Sequence, residues 1–218
     1  MRIPTAVCVA AAAAGILSGC FDEPVKADGR VPPESRIYMK DGKAEVFSAG
    51  LLLRRGVDAN GERLAGRFRN IDPAKVEYLN LDRNSLTNID EIAAFKSLRW
   101  LRLNDNKLES VPDFSHLARL EKIYLAGNRL REVPPFLEAL PELEMIDMSG
   151  NPVAEIPEWL ARKSGLRHLD LSRTALRSLP ADLGAWKSLR SLKLGDLRLD
   201  EGEMRRIRSA LPGVRIVF

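Results

Sequence analysis

The chain has 218 residues, 45% of them apolar and 29% charged, with a formal charge of +4 at pH 7; this is the composition of a folded soluble domain and excludes a disordered or collagen-like chain. Basic and acidic residues alternate without long runs of either sign, so the stripe of cations that marks a nucleic-acid binder is not visible and no nucleic-acid partner is expected. Both cysteines, Cys8 and Cys20, fall in the first twenty residues, which excludes a disulfide framework, a thiolate metal site and a cysteine nucleophile in everything that follows.

The first element in chain order is "MRIPTAVCVAAAAAGILSGC". One Arg precedes an apolar stretch from Ala6 to Leu17, which is shorter than the ~20 residues a membrane span needs and has the layout of a secretory leader. Its end, Leu17-Ser18-Gly19-Cys20, resembles the lipobox of bacterial lipoproteins. That resemblance implies a leader over 1–19, cleavage before Cys20, and acyl chains on Cys20 that hold the protein to a membrane. Phe21, not Asp, follows the Cys, which within that family leans towards the outer membrane over the inner. Residues 20–33, rich in Pro and charge, read as a tether.

Residues 34–75 read as a small β-rich N-terminal cap. Asp41-Gly42 lies between two alternating segments, a strong hairpin signal, and Asn60-Gly61 marks a second turn of the same kind.

Self-similarity dominates the rest. A unit starting at Val76 recurs at Leu98, Leu120, Leu143, Leu166 and Leu189, in steps of 22, 22, 23, 23 and 23 residues. The second unit reads "LRWLRLNDNKLESVP" and the third "LEKIYLAGNRLREVP". The pattern resembles the leucine-rich repeat family, whose signature is L-x-x-L-x-L-x-x-N-x-L. It implies an α/β solenoid over 76–199: a curved parallel sheet, short helices or 3-10 turns on the convex side, and a core shared between neighbouring units. Within each unit the x-L-x-L-x segment is a short strand with alternate faces. Asn84, Asn106, Asn128 and Asn151 fall at the bend after it, where an amide can bond stranded backbone groups. Thr174 and Leu197 take that position in the last two units, so the asparagine ladder ends there.

Pro follows an apolar residue at Pro112, Pro134, Pro157 and Pro180, and starts helical turns such as "PEWLARKS" and "PADLGAWKS". Trp159 and Trp186 fall on these turns and read as convex-side packing. Residues 200–218 read as a C-terminal cap, an amphipathic helix with Met204, Ile207 and Leu211 on one face and then a short strand.

In such a fold the outward strand positions are held rigidly without being needed for the core. They form three columns: Tyr78, Trp100, Lys122, Met145, His168, Ser191; then Asn80, Arg102, Tyr124, Asp147, Asp170, Lys193; then Asp82, Asn104, Ala126, Ser149, Ser172, Gly195. Tyr78, Trp100, Arg102, Tyr124 and Met145 are of the types enriched at protein interfaces, so an exposed aromatic patch centred on Trp100 is the candidate binding surface, with Asp147 and Asp170 as an acidic pair beside it. Those two carboxylates could also be imagined hydrolysing a sugar, but an open sheet neither excludes water nor raises one pKa. The two histidines lack metal-ligand spacing, and no phosphate loop or nucleophile elbow is present, so neither an enzyme nor a cofactor is expected. The sequence thus points to a monomeric, lipid-anchored envelope protein that binds another protein. The alternatives are an envelope scaffold or spacer without a specific ligand, and a glycan-binding module.

Overall fold

The structure is a computed structural model; it describes residue 68 and residues 72–218, together with the backbone of three short strands before them. The leader, Cys20, the tether and the Asn60-Gly61 turn lie outside the described residues.

Strands β1 (Met39–Lys40) and β2 (Lys43–Ala44) pair antiparallel, Met39 opposite Ala44, the pairing expected of a turn at Asp41-Gly42. Strand β3 (Gly50–Leu52) instead joins the main sheet, parallel to β4 (Tyr78–Asn80). From there each unit adds one strand: β5 (Trp100–Arg102), β6 (Lys122–Tyr124), β7 (Met145–Asp147), β8 (His168–Asp170) and β9 (Ser191–Lys193). With β10 (Arg215–Val217) they make one eight-stranded sheet in the order β10-β9-β8-β7-β6-β5-β4-β3. Each strand pairs in parallel with the next, and equivalent residues stand opposite one another: Leu79, Leu101, Ile123, Ile146, Leu169 and Leu192 form one row.

That row and the next, Leu81, Leu103, Leu125, Met148, Leu171 and Leu194, are completely or almost completely buried. Removing each such side chain from water contributes about 1.5–3 kcal/mol. No unit could hide its own leucines alone, so the hydrophobic gain exists only between neighbours.

The bend after each strand turns through a left-handed residue: Arg83, Asp105, Gly127, Gly150, Arg173 and Asp196, with φ between 54 and 67°. At Asn106, Asn128 and Asn151 the residue that follows is buried and bonds backbone on both sides. Asn128 Nδ2 donates to Leu125 O of its own unit (2.9 Å) and to Leu103 O of the unit before (2.9 Å), while its Oδ1 accepts from Leu108 N (3.1 Å). Asn106 and Asn151 repeat the arrangement, so Leu103 O and Leu125 O each receive two amides. Thr174 keeps one of these bonds, to Leu171 O at 2.8 Å.

The convex side carries 3-10 turns at Asp90–Ala94 and Pro135–Ala139 and one short helix, α1 (Glu158–Ala161). The segment "PADLGAWKS" forms isolated hydrogen-bonded turns, with Trp186 N on Leu183 O at 3.1 Å and Leu189 N on Trp186 O at 3.2 Å, and no run of helix. Side chains here also bond the turn before them: His116 Nε2 to Ala93 O (2.9 Å), Lys163 Nζ to Leu140 O (2.7 Å) and Trp186 Nε1 to Leu160 O (2.7 Å). Trp186 is buried and Trp159 half-buried, both on the convex side.

Helix α2 (Glu201–Ala210), capped by Asp200 on Glu203 N, closes the last unit. Ile207 and Leu211 are buried and Met204 half-buried. The same helix also holds the solenoid by charge. Arg206 donates to Leu179 O (2.9 Å), Pro180 O (3.1 Å) and Ala181 O (3.0 Å), and Glu203 Oε1 accepts from Leu179 N (2.8 Å).

Candidate functional site

Strand alternation with inward leucines puts the first two outward columns on the opposite, concave face, in register as expected. The exposure expected of the aromatic patch, however, is not found. Tyr78 keeps 7% of its surface, Trp100 4% and Tyr124 5%. Neighbouring strands in a sheet lie ~4.8 Å apart, so long side chains in one column pack on each other before they reach solvent. The Tyr78 and Trp100 rings meet edge to face at 5.0 Å, and the Lys122 ammonium stands 3.8 Å from the centre of the indole. Trp100 Nε1 donates to Glu121 Oε2 at 3.3 Å, and the same carboxylate is paired with Arg99. Arg102 lies 4.8 Å over Tyr124 and is paired with Asp82 at 2.9 Å, with both charged side chains largely covered. The N-terminal half of the face is therefore a covered cluster of rings and cations.

The C-terminal half is more open. Met145, Asp147, His168, Asp170 and Ser191 are half-buried and Lys193 is exposed. Asp147, Asp170 and Lys193 stand side by side on adjacent strands. Each Asp accepts from the amide two residues on, Asp147 from Ser149 N and Asp170 from Ser172 N, both at 3.0 Å. Asp170 is also paired with Lys193 at 3.2 Å. Burial pushes the Asp147 carboxyl above the ordinary carboxylate range, with the Asp170 charge adding to the shift. A raised carboxyl runs against the expectation that an open sheet leaves such groups unshifted. Asp147 stands between Tyr124 and Asp170 in register, on the face that also carries Met145. Burial, then the charges of Lys122 and Arg190, push His168 down, so it is neutral at neutral pH.

The third column is not free surface. Asp82 Oδ1 accepts from Asn104 N (2.7 Å), Asn104 Oδ1 from Ala126 N (2.8 Å) and Ser172 Oγ from Gly195 N (3.2 Å). Asp82, Asn104 and Ser172 thus tie their strand ends to the next unit. The signal was available in their type, since Asp, Asn and Ser are the residues that accept backbone amides.

No group of three or more His, Cys, Asp or Glu placed to hold a metal occurs among the described residues. No helix among them is long and apolar enough to cross a membrane.

Residues 74–130 match a family model described as leucine rich repeat, and residues 118–161 a model of two leucine rich repeats. No curated protein matches the chain. Among solved structures, a leucine-rich repeat protein of Leptospira interrogans is similar over 72% of this chain and 45% of that one, with 24% identity and a TM-score of 0.58. An internalin of Listeria monocytogenes is similar over 72% of this chain and 44% of that one, with 19% identity and a TM-score of 0.59. The chain spans less than half the length of either, and at these identities the likeness is one of fold.

Proposed function

We propose that the chain, a leucine-rich repeat solenoid whose residues 74–161 match models of that family, is a non-catalytic recognition module of the bacterial envelope, which binds a protein partner on its concave face. Leucine-rich repeat domains commonly bind proteins. The observation that carries the reading here is the open half of that face. Met145, Asp147, His168, Asp170, Ser191 and Lys193 are fixed in register by the sheet, yet none belongs to the leucine core. A sheet that already holds their backbone in place lowers the ordering cost of binding, which favours recognition. Tyr78, Trp100, Arg102 and Tyr124 support this surface from beside it. Acyl chains on Cys20 anchor the module to the outer membrane, a reading supported by the leader sequence alone.

A second reading, a scaffold without a specific ligand, draws support from the covered ring cluster, which by itself only stiffens the sheet. Glycan binding loses support for the same reason, because stacking on a sugar needs open ring faces.

Crosslinking in intact cells separates the first two. Met145→Ala with Asp170→Asn should abolish a crosslinked protein seen with the native chain while shifting the melting temperature little. If no protein crosslinks to the chain when photoreactive groups replace Met145 or Asp170, the scaffold reading replaces recognition.

A further inference from the structure

Two titratable side chains share the open half of the concave face, Asp147 on β7 and His168 on β8, both half-buried. Asp147 faces Tyr124 of β6 and Asp170 of β8 in register. The cations of the neighbouring strands are engaged elsewhere. Lys193 of β9 is paired with Asp170 at 3.2 Å, Lys122 of β6 stands over the Trp100 indole, and Arg102, which covers Tyr124, is paired with Asp82. His168 faces Met145 of β7 and Ser191 of β9. The charges about it are Lys122, Arg167 and Arg190 against one carboxylate, Glu144, which Arg167 already holds at 3.3 Å. One group is thus a carboxylate beside a carboxylate, the other an imidazole among cations.

The fold asks for neither titratable group. Asp147 accepts the amide two residues on, and Asn80 makes the same bond in the first unit at 2.9 Å with a neutral side chain. His168 takes a position that Tyr78, Trp100, Lys122, Met145 and Ser191 fill in the other units. Burial and like charges both favour the uncharged form. Asp147 therefore takes up its proton above the ordinary 3.8 of an aspartate, and His168 below the ordinary 6.5 of a histidine. The two steps draw together in mild acid. At neutral pH the open half carries two carboxylates, Asp147 and Asp170, against the one ammonium of Lys193. With both protons bound, Asp170 alone opposes Lys193 and the imidazolium. The net charge passes from one negative to one positive, on strands whose register holds the groups in place.

We propose that this half of the concave face releases its protein partner in mild acid, because protonation of Asp147 and His168 reverses the sign of the surface that the partner meets. The inference rests on the recognition reading above and adds its regulation. A partner fitted to the surface at neutral pH offers positive charge to it, and the two protons replace that attraction with repulsion.

The test uses the full chain in intact cells, with a photoreactive group in place of Met145 and crosslinking at about pH 7.5 and about pH 4.5. The yield of the protein crosslink should fall by about tenfold on acidification, and by about threefold when His168→Gln leaves only Asp147 to respond. With Asp147→Asn added, neither group can take up a proton, and the two yields should agree within about twofold. A fall as steep in His168→Gln as in the native chain would overturn the proposal, and this comparison decides the matter if the double variant gives no crosslink. So would a fall that survives in the double variant, which would place the response in the partner. Carbon NMR of the native chain in detergent supplies a second reading: the Asp147 carboxyl and the His168 ring should titrate over the interval in which the crosslink is lost, and loss outside that interval sinks the idea. Equal native yields at both pH values remove the acid response and leave concave-face recognition standing, whereas no crosslink at any pH removes recognition itself.

Discussion

Asn128 shows how much one side chain can hold in this fold. Its amide serves carbonyls of two units and receives a third group's N–H, all away from solvent. Asn128→Ala would strand Leu108 N and leave Leu103 O and Leu125 O each with one of their two amides, and a buried unsatisfied polar group costs about 1–3 kcal/mol. Urea unfolding should therefore show a loss of about 2–3 kcal/mol, whereas Thr174→Ala, with one bond at stake, should lose about 1 kcal/mol. Asp147 makes a prediction of opposite sign. Its folded-state pKa lies above the unfolded one, so the folded chain binds the proton more tightly. Its contribution to stability falls as pH rises from the unfolded pKa through the folded one, and at neutral pH it is a net cost. Asp147→Asn keeps an oxygen for Ser149 N and removes the charge. It should raise the melting temperature at pH 7 and leave it unchanged well below the ordinary carboxylate range.

At the scale of elements, the closing helix is held by more than its apolar face. Glu203 and Arg206 grip the backbone of Leu179, Pro180 and Ala181, and Glu203 is pushed below its ordinary pKa chiefly by Arg206. A depressed carboxyl stabilises above its unfolded pKa of about 4.5 and loses that effect as pH falls through the folded value. Glu203→Gln should thus lower stability at pH 7 and flatten the acid limb of the stability profile. Arg206→Ala should cost about 1–2 kcal/mol, with faster amide exchange at Leu179 and its neighbours than in β5 or β6. This grip shows where the sequence was and was not informative. Period and alternation announced the strands, the bends and the apolar stripe of α2, because burial imposes a fixed spacing on leucine. The bonds of Glu203 and Arg206 obey no period, since they depend on where a remote loop passes. The same limit applies on the concave face. Spacing told that Trp100 points away from the core, but its cover by Tyr78 and Lys122 depends on ring and chain lengths in three strands at once.

Across the whole molecule, stability passes from unit to unit through shared rows. Leu125 is buried in the central row between Leu103 and Met148. Leu125→Ala should cost about 2–5 kcal/mol, the range for emptying a core site. Because each unit touches only its neighbours, the loss should appear as a split transition, read by hydrogen exchange as earlier opening around β5 to β7. A uniform shift of every amide would indicate one cooperative block instead.

The sharing of amides between successive bends has a consequence for how such a chain can grow. A coil copied whole brings its own asparagine, its own left-handed residue and its own row of leucines, and meets the same partners on either side that the original met. Tandem duplication of residues 120–142 would therefore lengthen the array without asking any existing coil to change its bonds, much as a rung is added to a rope ladder. Reach along the concave face becomes a matter of gene length, separable from the choice of side chains displayed there.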